Sequence, residues 1–269
     1  MWGRDDDRLD VHFEELGANF SAMPAKTVDN ELARRSLIGF GEMIAALGRD
    51  GVGAAAEIRR ANALGARIPT AADNPWFDAV VVPLDATPPD DDPSLPSCLW
   101  TVADQVRGRV EAAQFATPCM GVSFDDPALD LDGGAEHVEA APLAVIGDLN
   151  ERAYNQVGMF GPLVRALRDD RIRTHGFREG RTFVSVALTL DVGDDLSVHY
   201  VATEASHRRR GLASRLLLAV LAAARARGMR TATLQASPDG LPVWTRLGFR
   251  RVVTARGYLR RPLSGKTAT

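Results

Sequence analysis

Lysine is nearly absent from this chain: among 32 lysine and arginine residues only Lys26 and Lys266 are lysine. With so much alanine, this reads as the codon bias of a GC-rich genome, and with a net charge of -3 no nucleic-acid partner is expected. The absence also excludes one phosphate-binding device, because a P-loop needs a Gly-Lys-Ser/Thr element. Cysteine is scarce as well. Cys98 and Cys119 lie far apart, with no second pair and no histidine cluster at ligand spacing, so buried thiols are expected ahead of a disulfide or a zinc site, and no metal is expected. Long apolar runs are missing too. The longest, Leu216 to Ala224, is closed by Arg215 and Arg225 and falls far short of the roughly 20 residues of a membrane span. The opening Met-Trp-Gly-Arg-Asp-Asp-Asp has no apolar segment after a basic start, so no secretory signal is expected. The expectation is a cytoplasmic protein with no membrane partner.

What is present is ordinary for a folded enzyme: 269 residues, 45% hydrophobic and 25% charged, enough for one large domain or two of usual size. Apolar spacing predicts helices over Asp29–Leu47 and Val52–Leu64, a short strand over Phe77–Val82, a Pro- and Asp-rich loop over Thr87–Pro96, a strand at Cys98–Ala103, a helix at Asp104–Gln114 and a strand at Thr117–Phe124. Asp125–Gly134, rich in Asp, Pro and Gly, is the expected domain boundary, dividing 1–130 from 136–269. The second half predicts a strand at His137–Ala140, helices at Leu143–Tyr154 and Phe160–Arg168, and a hairpin of Arg181–Leu190 and Leu196–Thr203. A helix over Gly211–Gly228, a strand at Arg230–Ala236, a helix at Gly240–Leu247 and a closing strand at Phe249–Leu259 complete it. The expected class is α/β, a layered α+β arrangement with a mixed sheet flanked by helices.

One turn carries chemistry. A strand ending at Thr203, a basic turn and a helix opening at Gly211 aim free backbone N–H groups and the positive end of the helix dipole at one point, which makes an anion site. Arg208, Arg209 and Arg210 supply screening charge, Gly211, Leu212 and Ala213 form the turn into the helix, with Gly211 and Ala213 small enough for close approach, and Ser214 adds a hydroxyl.

The run Val201-Ala-Thr-Glu-Ala-Ser-His-Arg-Arg-Arg-Gly-Leu-Ala-Ser-Arg-Leu-Leu217 resembles the central motif of the GNAT superfamily: Arg or Gln, two residues, Gly, one residue, then Gly or Ala. Leu234 to Phe249, ending in Leu-Gly-Phe, resembles that family's second hallmark, a strand followed by a short helix. The resemblance covers Glu136 to Pro262. It implies acetyl-CoA as co-substrate, two strands that splay apart, and backbone at Val201, Ala202 and Thr203 holding the pantetheine arm. It also exposes two departures. The family's usual acid, a Tyr four residues before that Gly, is here Trp244, and the place of an arm-binding Asn is Ser237. An indole N–H donates a hydrogen bond without giving up its proton, so Tyr258 and Tyr200 are substitute acids and Trp244 a contact for the leaving sulfur.

Attack by an amine also requires its proton to be removed. His199 is the first candidate base, by its ordinary pKa of about 6.5, and Glu204 the second; His207, beside the turn, suits phosphate binding. Cys98–Phe115 and Ala232–Phe249 share length and element order, which suggests a duplication whose degenerate first half walls the acceptor pocket. The expected reaction is direct acetyl transfer in a ternary complex to a primary amine of a small molecule or peptide. The alternative is a catalytically weak acyl-CoA-binding regulatory module. Oligomeric state is not legible.

Overall fold

Helix α1 (Ala25–Asp50) is buried on nearly every side from Leu32 to Leu47, which a helix tolerates only when structure surrounds it. The computed structural model describes residues 25–260 apart from 52–53, 73, 91, 111, 132–136 and 159. α1 packs against strands from both halves of the chain, β1 (Ala56–Arg60), β2 (Ala63–Arg67) and β3 (Ala79–Val81) on one side, β8 (Asp195–Thr203) and β9 (Thr231–Gln235) on the other. Its approach to β8 depends on Gly39, where a Cβ would overlap Ser197 Oγ.

The ten strands among the described residues form a single sheet. With β4 (Cys98–Thr101), β5 (Phe115–Ser123), β6 (Ile172–Glu179), β7 (Thr182–Val192) and β10 (Arg250–Leu259), the order is β1-β2-β3-β4-β10-β5-β9-β8-β7-β6. From either edge the pairing runs antiparallel, antiparallel, parallel, then antiparallel onto a strand from the other half. β10 and β5 meet antiparallel at the centre. The expected separation into 1–130 and 136–269 is therefore not a division of the sheet, because each segment's last strand lies within the other's ladder; residues 132–136 lie outside the described residues.

Helices α2 (Leu143–Tyr154) and α3 (Phe160–Ala166) share the α1 face, while α4 (Leu212–Ala226) and α5 (Leu241–Arg246) cover the opposite one. Strand alternation splits the core accordingly: Cys119 faces α1, Met120 and Val122 face α4. Both thiols are buried and free, pushed by burial up to about 12 at Cys98 and about 11 at Cys119.

Three local expectations are corrected. The Ala-rich stretch expected as a helix over Val52–Leu64 is the β1–β2 hairpin over its described residues, since tertiary pairing overrides propensity: β2 fits between β1 and β3, and a Cβ at Gly65 would overlap the Ala79 carbonyl. The described residues of Asp104–Gln114 form turns, because Gly108 is left-handed (φ 79°) and Arg109 is drawn inward to the carbonyls of Ser97 (2.7 Å), Pro96 (3.0 Å) and Tyr258 (3.2 Å). His137–Ala140 contributes only a bridge from Glu139 to Gly176, on the unforeseen β6.

The two halves are also tied by buried charge. Arg35 on α1, 2% exposed, donates to Glu31 (2.8 Å), to Asp194 (2.5 Å) and to Thr231 Oγ1 (3.1 Å), and Thr231 and Thr233 each donate to Asp195 at 2.6 Å. The fragment 136–260, expressed alone, is expected to show no cooperative thermal transition by circular dichroism, because β9 and β10 lose β5 between them; a sharp two-state melt would contradict the interleaved sheet.

Candidate active site

β8 and β9 run parallel and paired from Asp195/Thr231 to Val198/Leu234, and there the ladder stops. On the β8 side the cause is a bulge: Ala187 alone on β7 stands opposite both Tyr200 and Val201, and Tyr200 takes a left-handed backbone (φ 48°), a conformation costing about 1–3 kcal/mol that must be held from outside. Asn150 of α2, fully buried, holds it: its Nδ2 donates to the Tyr200 carbonyl (2.9 Å) and to the Ile146 carbonyl (2.8 Å). Its buried Oδ1 has no protein partner. On the other side Ala236 N donates to Pro118 O (2.9 Å) and Thr117 Oγ1 to Ala236 O (3.3 Å), so the chain beyond β9 stays with β5. The result is a fork whose tines are Tyr200–Val201 and Ala236–Ser237. The backbone at Val201 belongs to neither ladder.

Beyond the fork, Glu204 caps a 3-10 turn over Ala205–His207 by accepting from Ala205 N. Arg209 (φ 61°) and Gly211 (φ 76°) are both left-handed, and α4 begins without a side-chain cap. The first N–H groups of α4 thus have no side-chain cap, the general condition of an anion site at a helix N-terminus. The space is open, since a Cβ at Gly211 would meet nothing within 4 Å.

The basic residues around it are partly engaged. Arg208 Nε donates to the Thr203 carbonyl (3.1 Å). Arg210 and His207 both reach Glu179 of β6, at 2.5 and 3.1 Å, and with Arg210 as the main cause they hold the Glu179 carboxyl below its usual range. Leu212 and Ala202 bury their side chains in the two cores, so each offers the site only its backbone. Thr203 Oγ1 pairs with Ser185 Oγ at 2.9 Å, and Ala213 and Ser214 open α4 half-buried.

The nominated proton carriers are positioned unequally. His199 faces α1, where Nε2 shares a hydrogen bond with Ser197 Oγ (2.9 Å) and the ring meets the Gly39 backbone. Burial holds its pKa down to about 3, leaving a neutral, weakly basic imidazole. Glu204 pairs with Arg152 (2.9 Å) and is lowered chiefly by that bond. Tyr258 lies in the β4–β10 part of the sheet, fully buried, with its hydroxyl donating to the Ala103 carbonyl (3.0 Å); the structure does not bring it to the fork. Tyr200 sits at the bulge among apolar residues, and burial raises its pKa.

Trp244 is 6% exposed and stacks edge-on against Phe249, 5.2 Å between ring centroids, so its bulk is core. Its Nε1 and Ser237 Oγ both lie 3.1 Å from the point a Gly240 Cβ would occupy, which puts the indole N–H beside the β9 tine. Ser237 itself turns the chain into α5, its carbonyl accepting from Gly240 (3.1 Å) and Leu241 (3.0 Å).

Sequence reasoning missed two residues on α2. Asn150 and Tyr154 are four apart and share a helix face; Asn150 reaches the β8 tine, and the Tyr154 hydroxyl is hydrogen-bonded to Ser237 on the β9 tine. Their spacing was the available signal, but only the fold shows what that face meets.

A concavity of about 1120 Å³ lies elsewhere, beside α1 and the β7–β8 turn at Val192 and Gly193, the opposite end of β8 from Thr203. Its charges answer one another, with Arg59 on Glu42 (2.6 Å), Arg171 on Asp169 (2.7 Å) and Arg34 on Asp85 (2.5 Å). Among the described residues no group of His, Cys, Asp and Glu is arranged to hold a metal, and no helix is long and apolar enough to cross a membrane.

Residues 154–258 match the acetyltransferase (GNAT) domain family. No curated protein matches the sequence. Among solved structures, a GCN5-related N-acetyltransferase from Kribbella flavida superposes with a TM-score of 0.54 at 17% identity, covering 86% of this chain and 96% of that one. A conserved protein of unknown function from Staphylococcus epidermidis superposes at 0.51 with 9% identity, covering 80% and 97%. These two share the fold over most of their lengths. The forked parallel pair and the open turn before α4 both lie within residues 154–258, the part of the chain that matches the acetyltransferase (GNAT) domain family.

Proposed function

We propose that this protein transfers the acetyl group of acetyl-CoA directly to a primary amine of a small molecule or peptide within a ternary complex. The observation that carries the reading is the fork between β8 and β9 leading to the uncapped, open N-terminus of α4. The residues from Arg208 to Ser214 bind the diphosphate through backbone N–H groups and nearby charge, and the backbone from Val201 to Thr203 with Ser237 orients the pantetheine arm. When bound, acetyl-CoA supplies an activated thioester. The backbone at Val201 belongs to neither ladder, which makes its N–H the candidate donor to the thioester oxygen as charge develops there, a role that contributes the largest share of rate in acyl transfers.

Proton removal from the amine falls to solvent in this reading. His199 is held near 3 by burial and Glu204 is committed to Arg152 and the cap, so neither is tuned to take a proton near neutrality. His199 instead fixes the α1 face of β8 through Ser197 and Gly39.

A duplicated ancestry fits the repeated pairing order of the sheet. The segment Cys98–Phe115 matches Ala232–Phe249 in element order, and each begins on the strand that closes a parallel pair, β4 with β3 and β9 with β8. The first half carries no Arg-x-x-Gly-x-Gly/Ala element, so this reading assigns one acyl-CoA site per chain. A second reading, a CoA-binding module with little turnover, is favoured by one observation: Trp244 stands where a phenolic acid is expected. CoA binding without any acetylated amine would select it.

Isothermal titration should show CoA binding to the wild type. Gly211→Ala should weaken it about 5- to 30-fold, the 1–2 kcal/mol cost of an L side chain in a left-handed turn, with little change in melting temperature; equal affinity would remove this turn from the site. With an amine acceptor, kcat/KM should climb tenfold per pH unit from pH 6 until the acceptor's own ammonium has titrated. It should show no break near 6.5, because His199 is already neutral there, and His199→Gln should leave that shape intact. A break near 6.5 that vanishes in the variant would reinstate His199 as the base.

A further inference from the structure

Helix α2 ends across the mouth of the fork. Asn150 reaches the carbonyl of Tyr200 on one tine (2.9 Å), and one turn later the Tyr154 hydroxyl is hydrogen-bonded to the Ser237 side chain on the other. Residues four apart lie on one helix face, about 6 Å along it, so this single face spans the gap through which a cofactor arm has to pass. The turn is pinned behind by Arg152 on Glu204 (2.9 Å).

Three polar groups therefore converge at the β9 tine: Tyr154 Oη, Ser237 Oγ and Trp244 Nε1. They differ in chemistry. An indole N–H keeps its proton and a serine hydroxyl is a poor acid, whereas a phenol donates a strong hydrogen bond and can release its proton. Tyr154 is 46% exposed over the whole residue, and Ser237, Asp239 and Arg208 act on its hydroxyl. Enclosure, ahead of the Asp239 charge, pushes its pKa up, against the Ser237 bond and Arg208, so it is protonated near neutral pH.

We infer that Tyr154 is the catalytic O–H donor to the leaving CoA sulfur, supplied from α2 in place of the phenol that Trp244 does not provide. The inference rests on the proposed acetyl transfer. As the amine nitrogen bonds to the acetyl carbon, the carbon–sulfur bond breaks and its electron pair stays on sulfur. The Tyr154 O–H donates to that thiolate, whose proton comes through the phenol, and the phenol is restored from solvent, which has taken the proton lost by the amine. Ser237 positions the hydroxyl between turnovers.

Two readouts test it on the full chain. The first needs no turnover: the thiol of enzyme-bound CoA is titrated by its thiolate absorbance. Donation by Tyr154 stabilises the thiolate, so the bound thiol should titrate about one unit lower in the wild type than in Tyr154→Phe, with CoA affinity within threefold. Identical thiol titrations in the two proteins, or a failure of either to bind CoA, would overturn the assignment. The second is turnover: Tyr154→Phe should lower kcat about 10- to 100-fold with KM for acetyl-CoA little changed, and a kcat within twofold of wild type would sink the inference. Should no amine be acetylated by the wild type while the difference in thiol titration persists, the contact of Tyr154 with sulfur stands and the acetyl-transfer reading falls.

Discussion

The central antiparallel pairing of β5 with β10 is the constraint on which the rest of the molecule depends. Seven residue pairs join them, from Arg250/Gly121 to Gly257/Phe115, and each strand also pairs with the last parallel strand of the opposite half, β5 with β9 and β10 with β4. The β9 tine of the fork is thus held by a strand that precedes the matched acetyltransferase region. The first half is a structural part of the site in this sense, before any contact with an acceptor is considered. α1 adds a second tie of another kind. Its Arg35 is buried against Glu31, Asp194 and Thr231, and removing one partner of so buried an ion pair typically costs 3–5 kcal/mol through the charge left behind.

Electrostatics at the two ends of the site differ in the same way that their burial differs. At the exposed turn before α4, Glu179 answers Arg210 and His207, and such surface pairs are weak and screened. At the fork, groups are enclosed and neutral. His199 is kept uncharged by burial. The chain collects its exposed charge at the open turn before α4 and withholds it from the β8 side of the fork.

The second half was legible because its elements are local. The helix of Leu212–Ala226 repeats leucines at helical spacing, the β7–β8 hairpin turns at Gly193 and Asp194, and the Arg208–Ala213 turn joins neighbouring elements in sequence. The first half misled for the converse reason. Ala56–Arg67 has helical composition, and its strand state is imposed by neighbours distant in sequence, above all Ala79 packed on Gly65. Tyr258 was nominated for its chemistry, yet a strand residue's location depends on which strands flank it, and β10 carries it into the β4 ladder. Tyr154 was passed over because it sits outside both motifs. Only the packing of α2 on β8 makes the last turn of that helix part of the fork.

The interleaving also sets the order in which this protein is able to come into being. A ribosome delivers β10 after every other described strand, so β4 and β5 present unsatisfied edges for the time needed to synthesise more than a hundred residues, and the β9 tine has β5 as its only finished neighbour on that side. Pairings so distant in sequence are slow to form and leave exposed strand edges open to association meanwhile. β10 is the last described strand to be made, so a chain stalled before Arg250 is a half-knitted sheet with exposed edges despite its near-complete length.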